Sequence, residues 1–169
     1  MSTINGRACI VNGVAVDKVY SNGRQVYGRN LLSGTSGGLQ TKQFTNAWNT
    51  DTQATNGNYK IKLTKGETYT YRAWLDNANS NINSSDHAFV NVRFTPIGGT
   101  NYNLGNGTFI EKGETGYSTL VFTPSEDGYA GFAPFAYGEP QTFLAGWKEE
   151  KLEKGSVATP WTPAPEDIK

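Results

Sequence analysis

Two-residue alternation in ETYTYRAWLD (67–76) and AFVNVRFTP (88–96) constrains this chain more than any other feature. Side chains that switch sides at every position line the two faces of a strand, and no helix presents them that way. In the first run Tyr69, Tyr71, Ala73 and Leu75 share one face, and Thr70, Arg72, Trp74 and Asp76 share the other. In the second, Val90, Val92 and Phe94 oppose Phe89, Asn91 and Arg93. Further β-rich runs (KQFTNAW, NYKIKL, STLVFTP, YAGFAPFAY and FLAGWKEEKLEK) are separated by segments rich in Gly, Asn, Asp and Pro. Helical periodicity is absent almost everywhere. The pattern predicts an all-β chain, a β-sandwich of jelly-roll type.

Parity then assigns the core. Turning Trp74 inward would expose Tyr69, Tyr71 and Leu75 together, a net loss at about 25 cal/mol per Å² of apolar surface, so the indole is expected outside. Leu120 and Phe122 read as core, as do Ala130, Phe132 and Pro134, which sends Phe135 and Tyr137 outward. Trp147 and Trp161 read as structural. Strict alternation from Leu152 would turn Trp147 outward and bury Lys148 and Glu150, and a bulge near Gly146 or Glu149 resolves that conflict.

The first segment holds Asn5-Gly6, Asn12-Gly13 and Asn22-Gly23. Asn-Gly accepts the positive φ angles of tight hairpin turns, so an N-terminal β-hairpin extension is expected. The expected organisation is a hairpin connector at 1–29, a sandwich at 30–162 opening on Asn30-Leu31-Leu32, and a Pro-rich linker or terminus at 163–169. Residues 76–86, DNANSNINSSD, read as a long polar loop.

Fifteen basic residues balance fifteen acidic ones in 169 residues. That leaves no electrostatic footprint for nucleic acid, and no apolar run is long enough for membrane insertion. Cys9 is the single cysteine, so stability is expected from packing. The N-terminus lacks a signal-peptide pattern, which a protein released by lysis would not need.

The single histidine, His87, leaves Ser-His and Cys-His nucleophile arrangements without a base, and it reads as a loop residue beside a strand. No nucleophile elbow, phosphate-binding loop or zinc motif is present. The carboxylate pairs Glu111/Glu114, Asp76/Asp86 and Glu126/Asp127 lie mostly in turn-forming segments, so no catalytic residue is assigned. Asp76, Asn77, Asn79, Asn81 and Asp86 offer the oxygen ligands calcium prefers. They lack the EF-hand glycine and closing glutamate, and a solvated loop is the simpler reading. No cofactor is assigned, with a structural calcium as the open alternative.

The outward residues point to recognition. An exposed aromatic ring stacks on the C–H face of a sugar, while Arg, Asp and Asn bond its hydroxyls in fixed directions. The expected carbohydrate-binding set is Trp74, Arg72, Asp76, Asn91 and Arg93, extended by Trp48 and Tyr102 from loop-like stretches and by Phe135 and Tyr137.

The ending KLEKGSVATPWTPAPED resembles that of sugar-binding jelly-roll modules in tail and baseplate proteins of phages infecting lactic-acid bacteria and related hosts. The matching residues are Lys151 to Gly155 and Thr159 to Glu166. NGVAVDKVYSNGRQVYGRNLL resembles connectors preceding such modules, and GETYTYRAWLD is similar to their Gly-x-Thr-Tyr-Thr strand. The resemblance implies a non-catalytic module that attaches the virion, at its tail tip or baseplate, to host cell-wall or surface polysaccharide. Such modules occur as insertions in distal tail proteins and within receptor-binding proteins, so other tail proteins are implied as partners. Some relatives carry a structural calcium. The alternative is a structural spacer or assembly domain without sugar binding. On this reading the charged final strand closes the sandwich beside solvent, Trp161 folds back on the module, and the Pro-rich exit is a stiff tether.

Overall fold

The computed structural model describes residues 7–49, 54–55, 58–78 and 87–168, with side chains described outside 44–58 and 137–143. The chain enters through β1 (Ile10–Val11), β2 (Val14–Ala15), β3 (Lys18–Ser21) and β4 (Arg24–Gly28). Next come β5 (Gln40–Asn49), β6 (Ala54–Thr55), β7 (Asn58–Tyr59), β8 (Ile61–Leu63) and β9 (Tyr69–Asp76). The remainder is β10 (His87–Pro96), β11 (Tyr102–Asn106), β12 (Ile110–Glu111), β13 (Thr115–Phe122) and β14 (Gly128–Lys154). A 3₁₀ turn, Pro165–Asp167, follows.

The Asn-Gly pairs do what their chemistry predicts. Asn12 (φ 51°) and Gly13 (φ 78°) close the β1–β2 hairpin, and Asn22 (φ 49°) and Gly23 (φ 75°) close β3–β4. Asn5-Gly6 lies outside the described residues. The β3–β4 hairpin packs inward through Tyr27, which is fully buried and accepts the Cys9 amide on its hydroxyl at 3.1 Å.

The β-sandwich is organised about β14. The runs YAGFAPFAY and FLAGWKEEKLEK, which read as two strands, are continuous. Residues 128–135 pair with β10 and residues 146–154 pair with β9, so one strand serves both layers. The first layer is β13, β9 and the second half of β14. The second is β11, β10 and the first half of β14, with β8 and β12 at its margins. β5 runs antiparallel to β14 on both sides of an irregularity between Tyr137 and Thr142.

The inward faces form one core. Tyr71, Ala73 and Leu75 from β9 meet Val90, Val92 and Phe94 from β10, with Ala130, Phe132, Trp147 and Leu152 from β14. Tyr71 packs edge-on against Phe132, with centroids 5.1 Å apart. The expected bulge is present: the β9 register steps from Lys148 to Lys151, and Glu149 sits at φ +58°. Its amide donates to the Ser36 carbonyl at 2.7 Å, which holds this left-handed conformation in a non-glycine residue. The bulge keeps Trp147 inside, but it also leaves Glu150 inside, where its carboxylate accepts the Tyr71 hydroxyl at 2.8 Å.

Two expectations are corrected. The charged final strand does not lie beside solvent: Lys151 and Glu153 are 1% and 2% exposed. Nor is the Pro-rich stretch a free tether. Glu166 pairs with Arg29, the Asp167 carboxylate accepts the Gly34 amide at 2.9 Å, and Ala164 is fully buried.

Candidate functional site

The expected site residues separate onto the outer faces of the two layers, and each face is built differently. On the first layer, Arg72, Trp74 and Asp76 project from β9 as parity requires, since Tyr69, Tyr71, Ala73 and Leu75 are all buried. The chain's own ends then cover much of this face. Asn30 is the hub. Its amide donates to Thr35 Oγ1, the Glu150 carbonyl and the Thr162 carbonyl at 3.1–3.2 Å, while Oδ1 accepts the amides of Leu32 and Leu152. One side chain thus ties the start of the sandwich to its last strand and to the exit segment.

Beside it, Lys151 and Glu153 grip Thr159. The Lys151 ammonium donates to Thr159 Oγ1 and to the Pro160 carbonyl, each at 2.7 Å, and lies 3.9 Å from Glu153. The Glu153 carboxylate accepts the Thr159 amide at 2.8 Å and its hydroxyl at 2.7 Å. Gly28 donates to Thr159 Oγ1 at 3.0 Å, and a Cβ at Gly28 would collide with the Glu153 carboxylate. Burial drives the Lys151 pKa down to about 8 against the opposing pull of Glu153, and Arg72 lowers it further. The Lys-Leu-Glu-Lys-Gly motif is therefore a clasp for the exit segment. Trp161 folds back as expected, donating to Thr35 Oγ1 at 3.2 Å and lying over Gly37, where a Cβ would approach its ring to 2.7 Å.

Arg72 is drawn into this arrangement. It donates to the Thr159 carbonyl at 3.1 Å, and its guanidinium sits 4.2 Å from the centre of the Tyr117 ring. Trp74 is half-buried beside them, with the Lys148 ammonium 4.8 Å from its ring centre. The Tyr117 hydroxyl bonds Glu149, and burial together with this carboxylate raises its pKa. Asp76 is buried and caps its own loop, accepting the Ala78 amide at 3.1 Å. Asn77, weighed as a calcium ligand, donates instead to the Ile110 carbonyl at 2.9 Å, while Asn79, Asn81 and Asp86 lie outside the described residues.

The second layer's outer face is different. Asn91 Nδ2 donates to Asn103 Oδ1 at 2.9 Å and to Asn106 Oδ1 at 2.7 Å. Asn103 also donates to Asn106, at 3.1 Å. Arg93 Nε donates to Asn101 Oδ1 at 3.1 Å, and Asn101 in turn reaches Thr95 Oγ1. Asn91, Gly131 and Ala133 are buried although they lie outside the core, while Arg93, Asn101, Asn103, Asn106 and Tyr129 stand exposed around them. Tyr102, expected in a loop, belongs to β11 and packs edge-on against Phe94 at 5.6 Å. At one end His87 stacks on Phe109 with centroids 3.9 Å apart, and Phe89 bridges Phe109 to Phe135. His87 opens β10 rather than sitting in a loop.

Of the nine expected residues, Asn91, Arg93 and Phe135 share this second face. Tyr102 stands opposite the core residue Phe94 in the β10–β11 register and so lies on the inward side, not among the outward residues expected of it. Arg72, Trp74 and Asp76 lie on the other layer, and the side chains of Trp48 and Tyr137 lie outside the described residues. Sequence reading missed Asn101, Asn103 and Asn106. Part of the signal was available in NYNLGN, where alternation puts Asn101 and Asn103 on one face; Asn106 joins them only through the register shift opposite Val92 and Arg93.

No family model and no curated protein matches this chain. Among solved structures it is similar to the tripod from the baseplate of bacteriophage Tuc2009, at 20% identity and a TM-score of 0.50. That match covers 83% of this chain and 60% of the tripod chain. It is also similar to a Clostridium thermocellum xylanase carrying a carbohydrate-binding and a catalytic module, complexed with xylohexaose. There the identity is 10% and the TM-score 0.42, over 78% of this chain and 28% of that one. The tripod likeness is one of fold: this chain shares the β-sandwich of a phage baseplate module.

Proposed function

We propose that this chain is a non-catalytic carbohydrate-binding module of a phage tail or baseplate protein, attaching the virion to host cell-wall or surface polysaccharide through the outer face of β10 and β11. The observation that carries this reading is the Asn91–Asn103–Asn106 network with Arg93 and Asn101 beside it. These side chains are held by one another, so their remaining donors and acceptors are oriented before a sugar arrives, which lowers the entropy lost on binding. Tyr129, across the ladder from Thr95 and 43% exposed, offers an aromatic surface beside them. A shallow polar face of this kind binds a single glycan weakly, and several copies on a symmetric tail turn weak contacts into firm adhesion.

A fluorescent fusion mixed with a panel of Gram-positive bacteria tests the reading. Decoration of a subset of strains, lost in Asn91→Ala/Arg93→Ala, is expected. A fusion that decorates no strain but binds purified tail proteins would replace this reading with the structural spacer.

A further inference from the structure

We propose an oxyanion-binding site, outside the asparagine face, on the flank where β8 leaves the two layers unjoined. A cavity of about 340 Å³ opens there, lined by Leu31, Lys60, Ile61, Lys62, Thr64, Tyr69 and Lys154. Three of these residues are cationic and none is acidic. None of the ion pairs found among the described residues uses Lys60, Lys62 or Lys154. In a chain of zero net charge, three lysines thus line one recess without an ion-pair partner among the described residues. The cations that do find a carboxylate lie elsewhere: Arg29 faces Asp17 and Glu166, Lys148 faces Glu149, and Lys151 faces Glu153.

The recess also offers neutral donors. The Tyr69 hydroxyl accepts the Thr64 amide at 3.1 Å, which leaves its own proton for a further acceptor. Thr64, an exposed residue that also lines the recess, adds a hydroxyl. Ammonium and hydroxyl donors converging on a volume of this size suit a phosphate ester or carboxylate carried on a polyol or sugar. Lys62 lies directly across the β8–β14 ladder from Tyr129, so the recess adjoins the asparagine face. The oxyanion site stands on the lysines alone. That its ligand is one acidic group of a bound polysaccharide rests on the proposed function above.

The test is a two-dimensional amide NMR titration of the whole chain with inorganic phosphate, glycerol 3-phosphate, galacturonate and, as an uncharged control, galactose. Saturable shifts centred on residues 60–64, Tyr69 and Lys154 are expected with the oxyanions and not with galactose. Raising salt from about 50 to 300 mM should weaken them several-fold. Lys60→Gln/Lys62→Gln/Lys154→Gln should abolish the response, and single Lys62→Gln should reduce it if the triple variant folds poorly. Tighter binding of the ester than of free phosphate supports a carried oxyanion, and the tighter of ester and galacturonate names its class. Shifts spread equally over distant lysines such as Lys18 and Lys112, or undiminished in the lysine variants, would overturn the site. Asn91→Ala/Arg93→Ala separates the two proposals. If the oxyanion response survives while glycan binding is absent even in the parent chain, the glycan reading alone has failed.

Discussion

The two outer faces of the sandwich start from the same strand logic and end differently. On β9 the outward Thr70, Arg72, Trp74 and Asp76 look, by residue type, like a recognition surface. Thr70 donates to the Gly155 carbonyl at 2.7 Å, Arg72 reaches Thr159, and Asp76 caps a turn, so these polar groups are largely used within the chain. On β10 the outward Asn91 and Arg93 bond, among the described residues, to near neighbours on β11 and the turn before it, and their partners Asn101, Asn103 and Asn106 are exposed to solvent. Polar outward residues are therefore necessary for a binding face and do not identify one. What distinguishes the faces is whether another part of the chain has already taken their hydrogen bonds.

Breaking the clasp on the first face should have the largest effect. Asn30→Ala removes five hydrogen bonds at a fully buried position and leaves backbone groups of three segments unpaired. A loss of about 3–5 kcal/mol is expected in denaturant unfolding. Lys151→Met comes next: it leaves the buried Glu153 carboxylate without its cation, for a loss of about 3 kcal/mol. Neither residue touches the β10–β11 face, so binding measured well below the melting temperature should survive in both.

The clasp also sets a pH signature. The Lys151 pKa is near 8 in the folded chain, below the ordinary lysine value of 10.5. Between those values the unfolded chain holds a proton that the folded chain has lost. Stability contributed by this group therefore rises with pH from about 8, at no more than about 1.4 kcal/mol per pH unit. Tyr27 and Tyr117 work in the opposite sense. Burial raises both pKa values, so the folded chain keeps phenolic protons that the unfolded chain releases above about pH 10, and stability falls there. Melting temperatures across pH 7–10 should show a rise that Lys151→Met removes. Trp74→Ala sits at the small end, because the indole is only half-buried: about 1 kcal/mol or less is expected, with the fold intact.

Much of this was legible in the sequence because alternation is a local rule. It places Tyr69, Tyr71, Val90, Val92 and Phe94 inside, sends Trp74 out, and the conflict at Trp147 points to the bulge found at Glu149. Asn12-Gly13 and Asn22-Gly23 announce their turns through backbone chemistry alone. The covering of Lys151 and Glu153 was not legible. Parity says that they face away from the core, but what lies over them is set by Gly28 and Thr159, which are 131 residues apart in the chain. The same limit divided the expected site, since strand parity cannot say which layer of a sandwich a strand joins. β11 was missed because NYNLGN is polar and glycine-containing, and its pairing with β10 supplies the order its composition does not.

The most direct measurement is the dissociation constant for one polysaccharide that decorates positively with the parent chain, compared among parent, Asn91→Ala/Arg93→Ala and Trp74→Ala by isothermal titration calorimetry. The account predicts at least about a tenfold loss for the β10 variant, the equivalent of about 1.4 kcal/mol, and less than a twofold change for Trp74→Ala. The reverse order, with binding lost on removing the indole and kept without Asn91 and Arg93, would contradict it and move the site to the first layer.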